Sequence, residues 1–340
     1  MIEKISVGID VSKKTFDVAI QISSKNKPIE KQFQNTNKGV KGLIKTLEKT
    51  RQNRDPKQIH ICMEATGRYS RSIKNQLLET TTYTVSEVNP AQISAFGKTV
   101  LLRTKTDKID ARLIAEFCTK INPKASQQMP KWKYELKEYT RFSSKLIKER
   151  ASLKVYLESV DILDIKTKVS TQIKCYDKQI AKIESKIKSI IASEPALKKE
   201  CDLLTSIPGV GEKLAVTVLS ELIQEDPSPL NSPKYSKRKQ SAHSGLAPSK
   251  RQSGTSVNGQ ARICKTGNSV LRKALYMPTL SAIRFNPIVS SFFHRLVSKG
   301  KSKMVALVAC MRKLLVIMIG VLNTQKPFSQ DWVSKPYYAK

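Results

Sequence analysis

Acidic residues are missing from a long segment near the C-terminus. Residues 227–330 contain no aspartate or glutamate, although lysine and arginine occur throughout them. This segment therefore cannot supply the carboxylate ligands of a magnesium site by itself. Any divalent-metal chemistry must use residues from the N-terminal half, whereas the cationic segment suits contacts with sugar-phosphate backbones.

Histidine and closely spaced cysteine are also scarce. The 340 residues include 3 histidines and 6 cysteines, and no two cysteines form a CxxC pair. Zinc fingers and disulfide frameworks need clustered ligands or regular cysteine spacing, so we expect neither. The residues concerned are His60, His243, His294, Cys62, Cys118, Cys175, Cys201, Cys264 and Cys310.

Uninterrupted apolar runs are missing as well. The N-terminus leads directly into a strand pattern, without the apolar stretch of a secretion signal. The most apolar late segment, residues 304–322, is interrupted by Arg312 and Lys313. We predict a buried helix there rather than a membrane span, and a cytoplasmic protein that acts at the nucleoid.

Positive charge is the largest compositional excess. Lysine and arginine number 61 against 28 acidic residues, which gives a formal net charge of +33. Such an excess repels itself unless a polyanion compensates it, so nucleic acid is the predicted partner. A ribosome-associated protein and a generally cationic cytoplasmic protein remain alternatives on charge alone.

The first 120 residues carry the pattern of an α/β domain. Residues 5–22 alternate apolar and polar positions around an SKK turn, which predicts a strand hairpin, and a third strand is predicted near residues 30–34. Helical spacing follows at 37–47 and an apolar strand at 59–63. A helix beginning at Thr66 or Gly67, a strand at 82–88 and helices at 91–96 and 108–118 complete the prediction.

The middle of the chain predicts a helical hairpin or coiled coil. Glycine and proline are absent between residues 134 and 191, and the segment near Asp161 is the predicted bend. An apolar seam repeats there at spacings of three and four, which favours either packing within the domain or a coiled coil between molecules. Its members are Ile173, Tyr176, Ile180, Ile183, Ile187 and Ile190.

Two apolar helical stretches flank the sequence Pro208-Gly209-Val210-Gly211. Glycine permits a tight turn that exposes backbone N–H groups to a phosphate, so Gly209 and Gly211 are candidate DNA contacts. The pattern resembles a helix-hairpin-helix motif, and a plain helical turn is the alternative.

Four acidic residues in the N-terminal third form a candidate metal site. Asp10 interrupts an apolar strand, where an ionised carboxylate is costly unless a cation or hydrogen bonds relieve it. Glu64 follows an apolar strand, and Asp107 and Asp110 share one face at a helix start. Hard oxygen donors of this kind suit Mg²⁺ or Mn²⁺, and two ions about 4 Å apart are expected. Considered singly, each acid could equally be structural.

The motifs GIDVSK, MEATGRYS and RTKTDKIDARLIAEF resemble the three blocks of the DEDD transposases of bacterial insertion sequences, whose relatives include Piv-type DNA invertases. LLTSIPGVG, GLAPSKRQSG and ICKTGNSVLRKAL extend the resemblance over nearly the whole chain. It implies a RuvC/RNase H-like catalytic domain at residues 1–125, a helical connector at 126–198 and a basic, mainly helical domain at 199–335.

The resemblance also implies a nucleophile. In GLAPSKRQSG the matching position is Ser253, which would form a phosphoserine link to DNA, with Ser249 and Ser256 as nearby competitors. From the residues alone, any of these serines could be structural. Basic residues near the motifs are predicted to bind nucleic acid together with the two glycines: Lys105, Lys250, Arg251, Arg262, Lys265 and Arg272.

The resemblance further implies partners: donor and target DNA, a noncoding bridge RNA that selects them, and a homodimer or homotetramer. No membrane partner is expected. Two other functions remain open on the sequence. One is a RuvC-like junction nuclease that uses metal-activated water, and the other is a nonenzymatic nucleic-acid-binding protein.

Overall fold

The structure is a computed structural model that describes residues 4–22, 27–52, 54–101, 106–223, 234–249, 252–253, 257–258 and 262–329. At residues 252, 253, 257 and 258 only the backbone is described. The chain divides into two compact units, Met1–Met129 (unit 1) and Pro130–Lys340 (unit 2).

Unit 1 is built on a five-stranded mixed sheet. Its strands are β1 (Ile5–Val11), β2 (Thr15–Gln21), β3 (Ile29–Gln34), β4 (Ile59–Glu64) and β5 (Thr84–Val88). They lie in the order β3-β2-β1-β4-β5. β2 is antiparallel to both β1 and β3, whereas β1, β4 and β5 are parallel to one another. The predicted hairpin and third strand are confirmed.

Helices cover both faces of this sheet. They are α1 (Asn37–Arg51), α2 (Arg68–Thr80), α3 (Pro90–Thr99) and α4 (Asp107–Ile121). Because side chains alternate along a strand, the odd-numbered residues of β1 and β4 pack on α1 and α2 in one core. The even-numbered residues face α4, so Asp10 and Glu64 share that face with Gly8 and Cys62.

Gly8 allows α4 to lie directly on β1. A Cβ atom at Gly8 would come within 2.1 Å of the Ala111 carbonyl oxygen and 2.3 Å of the Ala115 backbone nitrogen. Small side chains continue this close contact, since Ala19, Ala111 and Ala115 form a buried cluster. The helix backbone is therefore held against the strand that carries Asp10.

Unit 2 begins with the predicted helical hairpin, α5 (Lys131–Ser159) and α6 (Leu163–Ser193), which bends next to Asp161. Seam residues such as Ile180 and Ile183 are buried against Leu146 of α5. The seam thus packs within its own chain, as the first of the two alternatives expected.

Helices form most of the remainder of unit 2, which agrees with the predicted helical C-terminal region. They are α7 (Pro195–Thr205), α8 (Glu212–Glu221), α9 (Lys237–His243), α10 (Ser269–Phe285), α11 (Pro287–Ser298) and α12 (Lys303–Thr324). Two short ribbons lie between α9 and α10, formed by β6 (Pro248–Ser249), β7 (Gln252–Ser253), β8 (Val257–Asn258) and β9 (Arg262–Ile263).

Among the described residues, α12 is the one helix whose length and composition would allow it to cross a membrane. Most of its apolar stretch is buried in the core of unit 2, where Cys310, Leu314 and Met318 are fully covered. The prediction of a buried helix is confirmed.

Replacing Gly8 by alanine should destabilise unit 1 by about 3 kcal/mol or more, because the added methyl group meets rigid backbone atoms of α4. Thermal or urea unfolding of the full chain measures the loss. Gly42→Ala is the matched control, since a Cβ there meets only the Phe33 ring at 3.4 Å. We expect the control to be unchanged or more stable by up to about 1 kcal/mol. Equal stability of both variants would show that α4 does not depend on Gly8.

Candidate active site

Asp10 and Glu64 lie side by side at the carboxyl ends of two parallel strands. The register pairs Ile9 with Met63, and each acid follows at the next position of its strand. Both side chains are half-buried and face α4. The carboxyl ends of parallel strands are the usual location of functional groups in α/β sheets.

Asp107 and Asp110 lie in the first turn of α4, the helix that packs on β1. The Thr106 side chain caps this helix by accepting a hydrogen bond from the Ile109 backbone N–H at 3.3 Å. Asp110 is half-buried and Asp107 is exposed. The helix dipole stabilises negative charge at this end of α4.

Three of the predicted carboxylates act electrostatically on the fourth, Asp10. Burial, followed by the charges of Asp110, Asp107 and Glu64 in that order, raises the pKa of Asp10 from its ordinary value to about 6. Within the described part of the chain, the charges that shift this pKa are negative. The cluster is therefore a self-repelling negative site, which a bound cation would stabilise.

Sequence reasoning missed a fifth acid on the same face, Asp17. It pairs with Asp10 in the β1–β2 register, is only 4% exposed and also raises the pKa of Asp10. Gln32 Nε2 donates to both of its carboxylate oxygens, at 3.3 and 3.1 Å. The signal was present, because Asp17 interrupts an apolar strand just as Asp10 does.

A buried group of His60, Cys62 and Cys118 was also missed, because Cys118 is distant in sequence from the other two. The ligand atoms of these residues lie within 4.8 Å of one another. His60 Nε2 lies 2.8 Å from Ser86 Oγ, and the Cys118 thiol donates to the His60 carbonyl oxygen at 3.4 Å. The group links β4 to α4 beneath the carboxylates.

Elsewhere in the described part of the chain, no three acidic, histidine or cysteine side chains bring their ligand atoms this close. No three of the four predicted carboxylates therefore bring their oxygens within 4.8 Å of one another. Their oxygen donors are nevertheless of the type that Mg²⁺ and Mn²⁺ prefer, whereas His60, Cys62 and Cys118 offer softer nitrogen and sulfur.

Ser253 lies in unit 2, in the long connection between α9 and α10, residues 244–268 (the Ser253 excursion). Its strand β7 pairs with β8, Ser253 opposite Val257, and β6 pairs with β9, Ser249 opposite Arg262. Ser249 is exposed. Ser256 lies outside the described residues, as do Lys105, Lys250 and Arg251.

The base of this excursion is a ladder of backbone hydrogen bonds. Cys264, Lys265 and Asn268 donate to the carbonyl oxygens of Ala247, Gly245 and His243, at 3.1, 3.2 and 2.6 Å. Gly267 adopts φ +136°, and a Cβ there would lie 2.3 Å from the His243 carbonyl oxygen. The sequences GLAPS and CKTGN therefore fix where the excursion leaves and re-enters the helical core.

Some of the predicted nucleic-acid contacts are exposed, and others are packed within unit 2. Arg262, Lys265 and Gly211 are exposed. Arg272 is half-buried and donates to the Ser244 carbonyl oxygen at 3.0 Å. Gly209 adopts φ +93°, and a Cβ there would lie 2.6 Å from Ala282 of α10, so close packing also requires glycine at this position.

Comparison with known proteins shows the family of this chain. A DEDD transposase family model matches residues 7–164, and a model described as the transposase IS116/IS110/IS902 family matches residues 201–294. The pilin gene-inverting protein of Moraxella bovis is 32% identical over 338 residues, which cover 96% of this chain and 98% of that protein. The chain belongs to the IS110 family of transposases.

Other relatives support this assignment. The pilin gene-inverting protein of Moraxella lacunata is also 32% identical over 338 residues. An uncharacterized 43.6 kDa protein of insertion element IS110 from Streptomyces coelicolor is 25% identical over 141 residues, 42% of this chain and 32% of that protein. Membership of the IS110 family makes the chain a DNA-acting transposase or recombinase.

In this IS110-family chain, a buried ion-pair network supports the base of the Ser253 excursion. The Glu221 carboxylate is fully buried and accepts hydrogen bonds from Arg141 Nε at 2.6 Å and Asn268 Nδ2 at 2.6 Å. Lys137 Nζ lies 3.2 Å away. Asn268 also caps α10, so Glu221 links the hairpin helix α5 to the point where the excursion re-enters the core.

We expect Asp10→Asn to stabilise the metal-free chain by about 1–2 kcal/mol at neutral pH, because it removes a repelled charge that solvent screens only in part. Since the folded-state pKa of Asp10 is raised, the wild type loses stability as pH rises from about 4 through 6. The variant should lack this loss. Thermal unfolding in EDTA across that range measures the difference, and a less stable variant at pH 7 would contradict the repulsion.

Glu221→Gln should destabilise the chain by about 2–3 kcal/mol at neutral pH, because Arg141 and Lys137 lose their buried counter-charge. Burial raises the pKa of Glu221, but the hydrogen bond from Arg141 and the nearby cations outweigh it, so the pKa is lowered. A lowered pKa stabilises the fold above about pH 4.5 and ceases to do so in acid. Urea unfolding should therefore show the two proteins converging at low pH; a difference independent of pH would argue against the ion pair.

Proposed function

We propose that this IS110-family protein cuts and rejoins DNA in a metal-dependent reaction in which Ser253 forms a transient phosphoserine link. The observation that carries the proposal is the shared face of β1, β4 and α4, where three carboxylates raise the pKa of a fourth. Among the described residues, the charges that act on Asp10 are those of other carboxylates, which is the pattern of a functional site rather than of a paired structural acid.

The residues that would hold Mg²⁺, or alternatively Mn²⁺, are Asp10, Glu64, Asp107 and Asp110. Their hard oxygen donors fit such ions, and two ions would stabilise both the attacking and the leaving oxygen. Bound there, the ions would neutralise negative charge on the scissile phosphate.

Ser253 acts as the nucleophile. Its hydroxyl oxygen attacks the scissile phosphorus, the 3′ oxygen leaves and gains the proton that serine loses, and a bond from phosphorus to the serine oxygen replaces the bond to the 3′ oxygen. A 3′ hydroxyl from the exchanged strand then attacks the same phosphorus and releases the serine. One phosphoester bond forms for each that breaks, so no ATP is needed. Because a serine hydroxyl is a weak nucleophile, the adjacent cations Lys250 and Arg251 assist it electrostatically.

Two further features support recombination over simple cleavage. The pilin gene-inverting proteins are named for rearranging a gene, and they match this chain over nearly its full length. The cationic residues 227–330 suit two polyanions, so donor and target DNA together with a bridge RNA are the proposed partners. Joining two duplexes requires two or more sites, for which a homodimer or homotetramer is proposed.

The sheet order supports a RuvC/RNase H-like catalytic domain, since an antiparallel triplet continues into two parallel strands with α4 beside the acids. The turn between α7 and α8 supports a helix-hairpin-helix-like contact through the exposed Gly211. We retain residues 1–125, 126–198 and 199–335 as functional segments, with Lys105, Lys250, Arg251, Arg262, Lys265 and Arg272 as proposed phosphate contacts. The reaction is proposed to take place in the cytoplasm, at the nucleoid.

The decisive experiment detects protein-linked DNA. Purified protein is incubated with donor and target DNA, Mg²⁺ and RNA transcribed from the flanks of its own gene, and is then denatured. We expect adducts with wild type and with the control Ser249→Ala, and none with Ser253→Ala or Asp10→Asn. Mg²⁺ should also raise the melting temperature of wild type more than that of Asp10→Asn.

Other outcomes favour other functions. Free cleaved ends made by Ser253→Ala as efficiently as by wild type would indicate a hydrolytic nuclease. Binding without cleavage in every metal and RNA condition would indicate a nonenzymatic nucleic-acid-binding protein. Adducts lost in Ser249→Ala and retained in Ser253→Ala would move the nucleophile to Ser249.

A further inference from the structure

A large groove lies in unit 2 beside the excursion that carries Ser253. It has a volume of about 1240 Å³ and is bordered by α9, α11, α12 and the β6–β9 ribbon. Cationic and apolar side chains both line it, and the apolar ones form what is here called the apolar wall. The ribbon contributes Pro248, Arg262 and Ile263, so the groove adjoins both ends of the excursion.

The described residues that line the groove are rich in cations. Seven of them are lysine or arginine, and none is aspartate or glutamate. Burial lowers the pKa of Lys313, and the charges of Arg295 and Lys237 lower it further. Because the cations crowd one another, an anion that enters the groove would be stabilised.

The apolar wall distinguishes this groove from an ordinary phosphate-binding surface. Met304 and Val305 of α12 are 58% and 54% exposed, although they line a concave site. The Phe292 ring lies at the same site, with Arg295 5.3 Å and Lys313 5.9 Å from its centroid. Exposed apolar side chains beside cations fit a ligand that is itself both apolar and anionic.

We propose that this groove binds an unpaired polynucleotide strand, with bases against the apolar wall and phosphates on the cations. A duplex conceals its bases, so it would gain little from Met304 and Val305, whereas unpaired bases stack on or pack against such surfaces. The inference rests on the proposed function, since strand exchange must release an unpaired strand near Ser253. DNA and RNA strands share this chemistry.

The test compares two variants that each add one negative charge to an exposed methionine of unit 2. Met304→Glu alters the groove, and Met277→Glu alters α10 at a side chain that is 67% exposed and does not line it. Fluorescence anisotropy measures binding of the full chain to a labelled ten-nucleotide oligo-dT, oligo-U, an abasic strand of equal charge and a duplex, in EDTA. Met304→Glu should weaken oligo-dT binding about tenfold or more relative to Met277→Glu.

Wild type should also bind oligo-dT more tightly than the abasic strand, and Met304→Glu should reduce that preference. Equal binding by both variants, or equal affinity for oligo-dT and the abasic strand, would overturn the proposal. A loss confined to the duplex would instead make the groove a duplex site. Comparison of oligo-dT with oligo-U identifies the preferred source. Since these measurements need neither metal nor cleavage, their failure leaves the adduct experiment on Ser253 unaffected.

Discussion

The backbone of α4 lies directly against β1 at Gly8, and the arrangement of the candidate active site depends on this contact. A side chain at position 8 would separate helix and strand by atomic overlap with Ala111 and Ala115. With glycine there, the first turn of α4 reaches the strand ends that carry Asp10 and Glu64. Close packing at Gly8 therefore brings the acids of α4 near enough to Asp10 to raise its pKa.

The acidic side chains have different surroundings in the two units. In unit 1 it is concentrated on one face, and the resulting repulsion leaves the site suited to cations. In unit 2 the Glu221 carboxylate is buried and surrounded by donors and cations. It therefore stabilises the fold at the base of the Ser253 excursion, whereas the sequence of residues 227–330 contains lysine and arginine but no acid.

This IS110-family chain carries both kinds of surface, the acidic face of unit 1 and the cationic surface of unit 2. The carboxylate face offers hard oxygen donors, and the basic unit offers cations, exposed backbone and a groove with an apolar wall. This division of chemistry agrees with the matches of two separate family models to residues 7–164 and 201–294.

The sequence by itself determined the strands and helices of the N-terminal third and the central helical hairpin, and it singled out the four predicted acids. Alternation along residues 5–22 and the seam through Ile180 and Ile183 follow from the periods of strand and helix, which are local properties of the chain. An acid within an apolar strand is likewise conspicuous from its neighbours alone, and that signal identified Asp10.

Only the tertiary structure decided which distant residues meet. It brought Cys118 to His60 and Cys62, gave Glu221 its partners on α5 and α10, and formed the groove from four separate segments. Periodicity assigns a residue to a face but does not specify what packs on that face, because packing depends on shape and volume across the whole unit. The same limit explains why Gly8 was read as part of a motif, while its role as the contact point of α4 became evident only in three dimensions.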